Sequence, residues 1–176
     1  MRNPPSPNGT GRAPRRPLYT PDERRRRDAS GWTLVQGVLA PVQFFIFAAS
    51  LVLVLRYLWT GEGHAAATLS VVVKTLALYT IMVTGSIWEK VVFGKYLFAP
   101  AFYWEDVFSM GVLALHTAYL VALATGALAD RPLMYLALAA YVAYVVNATQ
   151  FVLKLRAARL DMARQSRGMQ STGAVA

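Results

Sequence analysis

Between Thr84 and Met110 the chain carries three carboxylates (Glu89, Glu105, Asp106), two lysines (Lys90, Lys95) and two tryptophans (Trp88, Trp104). They fall in the connection between two apolar segments of membrane length. Ionisable groups are expensive at the edge of a bilayer. Aromatic side chains there act either as headgroup anchors or as walls for a flat ring. A carboxyl group among apolar neighbours can hold a proton and donate it, because desolvation favours the neutral form. The stretch therefore suits proton chemistry on a lipid-soluble molecule. The rival reading is an ordinary interfacial loop.

More polar residues lie deeper. Lys74 is inside the second apolar segment, and His116 is inside the third at a similar depth. At 100° per residue, Glu105, Ser109 and His116 share one face of the third segment. Lys74, Gly85 and Trp88, with Glu89 at the edge, share a face of the second. If the two segments pack antiparallel, Lys74 meets His116, and Glu89 meets Glu105 and Asp106. The fourth segment adds a stripe of Tyr144, Asn147, Gln150 and Lys154, and the first adds Gln43. The interior is then expected to grow more polar toward one end. Each residue also has a purely structural reading. Lys74 can pair with a neighbouring helix, His116 can hydrogen-bond across helices, and Trp88, Trp104, Tyr103 and Phe102 can anchor to headgroups.

The elements that must position these side chains follow from composition. Of the 176 residues, 56% are hydrophobic and 15% charged, with a mean hydropathy of +0.37. That is too apolar for a soluble domain and indicates an all-α integral membrane four-helix bundle. Four segments are long enough for the roughly 20 apolar residues a bilayer core requires: 32–59, 65–93, 102–123 and 133–155. Pro41 is expected to kink the first. Residues 61–63 and 130–132 read as short turns. Residues 1–30 hold six prolines and eight arginines with almost no aliphatic side chains, and are expected to be a disordered basic tail. A secretory leader is not expected there. The domain reading is a tail at 1–30, the four-span domain at 31–160 and a C-terminal tail at 161–176.

The 18 Lys+Arg against 9 Asp+Glu give a net charge of +9, concentrated in the tails. In a membrane protein this reads as topology and contact with anionic lipid rather than nucleic-acid binding. Both tails and the middle connection are basic, so the positive-inside rule puts them in the cytoplasm. The absence of cysteine excludes thiolate metal sites and a cysteine nucleophile. With two histidines, a resident multi-histidine metal centre is not expected. Ala114, Ala118, Ala122 and Gly126 on the third span, and Ala139 and Ala143 on the fourth, suit close helix contact and permit a homo-oligomer.

Four runs carry a specific resemblance: Val71-Val-Val-Lys-Thr75, Ile81-Met-Val-Thr-Gly-Ser-Ile-Trp-Glu-Lys-Val-Val-Phe-Gly94, Tyr96-Leu-Phe-Ala-Pro-Ala-Phe-Tyr-Trp-Glu-Asp106 and Ala114-Leu-His-Thr-Ala-Tyr-Leu120. Together they closely resemble the 3-vinyl (bacterio)chlorophyllide hydratase family, over about residues 17 to 160. The resemblance implies a lyase of bacteriochlorophyll synthesis in the photosynthetic inner membrane, which adds water to the ring-A vinyl group to give a 1-hydroxyethyl group. A later dehydrogenase would oxidise that group, and other pigment-biosynthesis enzymes are conceivable neighbours.

Such a reaction needs a proton at the terminal vinyl carbon, water at the inner carbon and a surface for a large flat ring. Glu105 and Glu89 are the first candidates for the acid, with Asp106 beside them; two close carboxyls would supply acid and base from one pair. His116 is read as an axial ligand to the magnesium of the substrate or as a base toward water. Lys74 and Lys90 suit the substrate propionate. Trp88, Trp104, Tyr103 and Phe108 would stack on the ring, and Ser109 and Asn147 would line the site. No cofactor is expected, because the magnesium belongs to the substrate. The alternatives are a non-enzymatic pigment carrier or assembly factor, and a channel-like structural subunit.

Overall fold

The computed structural model describes residues 18–173, and all of its regular elements in that range are helices. Helix α1 spans Pro21–Ala29, α2 Gly31–Thr60, α3 His64–Phe93, α4 Tyr103–Thr125 and α5 Asp130–Gly173. The apolar part of α5 ends at Leu160. With 30 residues each, α2 and α3 reach about 45 Å at 1.5 Å per residue, ample for a hydrocarbon core of about 30 Å. α4, α5 and these two helices are apolar enough along their length to cross a membrane. The integral membrane bundle expected from composition is what the chain forms.

The basic segment before it departs from expectation. Over residues 21–29 the tail is helical, for local reasons. Thr20 and Glu23 form a reciprocal capping box, Pro21 occupies the first turn, and Arg26 and Arg27 lie in the last. Each satisfies or complements a helix end. Tyr19 stacks on Phe93 at 5.8 Å between ring centroids, and Thr33 Oγ1 donates to the Arg27 carbonyl. Burial raises the pKa of the Tyr19 phenol, a shift that the neighbouring Arg27 opposes. The first 17 residues of the expected disordered tail lie outside the described residues.

Glycines end three spans. Gly61 and Gly94 adopt positive φ (75° and 81°) and return a backbone N–H to the preceding turn, a conformation that costs glycine nothing. Pro41 sits within a continuous α2. Residues 130–132 are not a turn: they form the first turn of α5, and the chain reverses at 126–129 instead.

The bundle is built from two hairpins, α2–α3 and α4–α5, which make the most extensive contacts; α3 touches α4 and α5 more lightly, and α1 folds onto α3. The main core contains Val54, Ala67, Val71, Tyr119, Met134, Ala137 and Tyr141. A smaller cluster of Tyr19, Val92 and Phe102 closes the end that carries the 94–102 connection. Leu34, Phe45, Trp59 and Val142 are 66–85% exposed, which in a bundle of this length makes lipid their solvent. Ala114, Ala118 and Ala139 also face outward, so within the bundle the close approach falls to Ala67, Ala122, Ala137 and Ala140.

Candidate active site

The connection between α3 and α4 aims backbone amides at carboxyl groups. Phe98 has a φ of 58°, the one positive-φ residue other than glycine among those described. That conformation costs a residue with a Cβ about 1–2 kcal/mol. It comes with two successive N–H groups turned inward: Phe98 N–H donates to Asp106 Oδ2 at 2.7 Å, and Ala99 N–H to Glu89 Oε2 at a longer 3.4 Å. The Glu89 and Asp106 carboxyls are close enough to interact electrostatically. Two neighbouring carboxyls of this kind can share one proton between them. Both are buried, at the ends of different spans.

Glu105 looks elsewhere. Its carboxylate accepts from Lys154 Nζ at 2.6 Å, and that ammonium lies 5.1 Å from the centroid of the Phe102 ring. The antiparallel contact was expected to bring Glu89 to both Glu105 and Asp106. Adjacent helical residues point 100° apart, so α4 presents Asp106 to α3 and Glu105 to α5. One turn further in, Asn147 Nδ2 donates to Ser109 Oγ at 2.8 Å.

Deeper still, His116 and Lys74 are fully buried. His116 Nδ1 is 2.9 Å from the Val112 carbonyl. A carbonyl only accepts, so Nδ1 carries hydrogen and a neutral ring presents Nε2 as an acceptor. The ring lies 5.9 Å from Tyr141, and Lys74 Nζ sits 3.9 Å above the Tyr144 ring. Lys74 and His116 are close enough to interact electrostatically, as the depth argument anticipated. Tyr141, Ser50 and Ser70 form a hydrogen-bonded chain beside them, with Ser50 Oγ 2.5 Å from Tyr141 Oη and 2.7 Å from Ser70 Oγ.

The aromatic residues divide into two sets. Trp88 is half-buried, donates Nε1–H to Thr33 Oγ1 at 3.0 Å, and packs edge-on against Phe93 and Phe102. It ties the bundle end together. Tyr103, Trp104 and Phe108 are exposed, and Tyr103 links to Phe98 and Trp104 through ring contacts at 5.8 and 5.5 Å. That outward patch begins beside the carboxyl pair. Lys90 is exposed, donates to the Gly94 carbonyl at 3.0 Å and lies near the Tyr96 ring. Among the described residues no cluster of three or more histidines and carboxylates is arranged to hold a metal ion.

Two parts of the site escaped sequence reasoning. Lys154 was visible in the polar stripe of the fourth span, yet its pairing with Glu105 needs the α4–α5 register. The Phe98 and Ala99 amides have no side-chain signature at all.

Fold and site together define an integral membrane protein with four spans and a group of buried carboxyls at one end of its bundle. The family described as 2-vinyl bacteriochlorophyllide hydratase matches residues 19–157, and the chain belongs to that family. A 2-vinyl bacteriochlorophyllide hydratase of Rhodobacter capsulatus is 64% identical over 162 residues, covering 92% of this chain and 94% of the relative. One of Cereibacter sphaeroides is 69% identical over 150 residues, covering 85% and 93%. No solved structure matches the chain significantly.

Proposed function

We propose that this chain is the hydro-lyase that adds water to the ring-A vinyl group of a bacteriochlorophyllide, in the bacteriochlorophyll pathway. That carbon is numbered 2 or 3 according to the macrocycle convention. The observation that carries the chemistry is the buried Glu89–Asp106 pair, held by two backbone amides beside an exposed aromatic patch.

In this reading the pair gives its proton to the terminal vinyl carbon. The double bond becomes a methyl group and an adjacent cation that the macrocycle delocalises. Water oxygen bonds to that inner carbon, and its surplus proton passes to Glu105, a carboxylate kept in place by Lys154. The product is a 1-hydroxyethyl group, and the proton returns from Glu105 to the pair through solvent. Nothing is oxidised or reduced, so the reaction calls for no redox cofactor. Tyr103, Trp104 and Phe108 offer a platform for the ring, and Lys90 stands at the surface where the propionate of the substrate would emerge. His116 is enclosed by Val112, Tyr141 and Lys74, which favours a role toward water over ligation of the substrate magnesium.

The chain is a membrane protein. We assign the end with α1, Lys90, Lys95 and Lys154 to the cytoplasmic face of the photosynthetic membrane, because positive charge gathers there. The test is conversion by the purified protein in detergent. Incubated with a vinyl-bearing bacteriochlorophyllide, it should yield a product heavier by one water. A protein that binds pigment tightly and leaves it unchanged would be a carrier.

A further inference from the structure

Polar residues of α4 and α5 lie along one seam between the two helices. On α4, Glu105, Ser109 and His116 fall within about a 40° arc, with the apolar Val112 between the last two; on α5, Tyr144, Asn147, Gln150 and Lys154 share the facing side. Two rungs are closed, Glu105–Lys154 and Ser109–Asn147, and the two helices keep an antiparallel register to the His116–Tyr141 contact. Between and beyond these rungs, buried polar atoms have no hydrogen-bond partner among the described residues: Asn147 Oδ1, Gln150 Oε1, His116 Nε2 and Lys74 Nζ. Burying such atoms unpartnered costs about 1–3 kcal/mol each. Several along one seam is more than packing alone explains, since buried polar groups in folded proteins are nearly always satisfied. Three are acceptors and one is a donor. A small molecule able to donate and accept satisfies all of them, and a larger acceptor or an anion does not.

We propose that this seam is a binding site for a file of water molecules, running from Glu105 inward to His116 and Lys74, and that it supplies the water consumed at the vinyl group. His116, with its hydrogen fixed on Nδ1, accepts from the innermost water through Nε2, and Lys74 donates to it. Asn147 and Gln150 accept along the way. At the outer end the water beside Glu105 is the one that attacks, and the file replaces it. Glu105 itself is buried, so the seam sets how often a vinyl group there meets its nucleophile. The second half of the proposal rests on the hydration reading; the first half does not.

The experiment is hydroxyl-radical footprinting of the full chain in detergent, without pigment, in heavy-oxygen water. Radicals born from bound water label the side chains beside it. His116 should acquire heavy oxygen at least about fivefold faster than Met134, which is equally buried but lies in the apolar core. Labelling of His116 no faster than Met134 means a dry seam and overturns the proposal. Asn147→Leu with Gln150→Leu should remove that excess label and lower kcat about tenfold, with KM for the pigment unchanged. The half-buried Gln150→Leu alone gives the same changes in smaller degree should the double variant not fold. Loss of label with an unchanged kcat overturns the supply role. A wild-type protein that is labelled but never hydrates pigment refutes the hydration reading and leaves the water file standing.

Discussion

At the bundle end formed by the turns at 61–63 and 126–129, Glu62 and Asp130 face water. Arg56 lies 3.9 Å from Glu62, His64 lies 3.5 Å from Asp130, and all four side chains are at least a third exposed. At the opposite end Glu89, Glu105 and Asp106 are buried, each with a partner from a different part of the chain: a loop amide, an α5 ammonium, another carboxyl. Both ends hold carboxylates at a membrane edge. Exposed pairs are screened and contribute little, whereas a buried carboxyl exists in a fixed geometry and protonation state only because the fold surrounds it. The comparison teaches that charge near a bilayer edge does not locate chemistry. Burial with a built partner does.

The sharpest way to break this contrast is to remove the acid pair. Glu89→Gln combined with Asp106→Asn should reduce hydration by about 10²–10⁴-fold, measured as turnover of the purified protein; near-normal turnover would falsify the assignment of the proton donor. Next in size, Glu105→Gln is expected to cost roughly a hundredfold. Lys154→Met should cost less, roughly tenfold, since it leaves the carboxylate present but unanchored; the same assay ranks the two, and a larger loss for Lys154→Met would reverse their roles. Trp88→Phe keeps the ring contacts and deletes the bond to Thr33. It should destabilise the protein by about 1 kcal/mol and speed amide exchange in α1, with unchanged exchange marking the tie as idle. At the opposite end, Glu62→Gln and Asp130→Asn should leave turnover unaltered and stability within about 0.5 kcal/mol, read from thermal unfolding in detergent. Any large loss of activity there would erase the distinction between the two ends.

Much of the fold was legible because lipid imposes it. A backbone with no water to bond must close its hydrogen bonds within each segment, so four long apolar runs become four helices whatever their neighbours. The α1 helix was legible too, in Thr20, Pro21 and Glu23, but eight arginines and six prolines in the first 30 residues masked a capping signal that acts over only four residues. The turn at 126–129 was misplaced because Asp130, Arg131 and Pro132 suit a turn and the first turn of a helix equally well.

The sequence by itself determined the class of protein, the number of spans, the depth of Lys74 and His116, and the stretch from Thr84 to Met110 as the place to look. It also placed Glu105, Ser109 and His116 on one face, because helical phase is a local property. Tertiary structure decided the partners. Which carboxyl meets which depends on how α4 is rotated between α3 and α5, and that rotation is set by packing summed over all the spans. It turned Asp106 toward Glu89 and gave Glu105 to Lys154. It also bent the connection at Phe98 so that two amides, which have no side-chain identity to read, became part of the site.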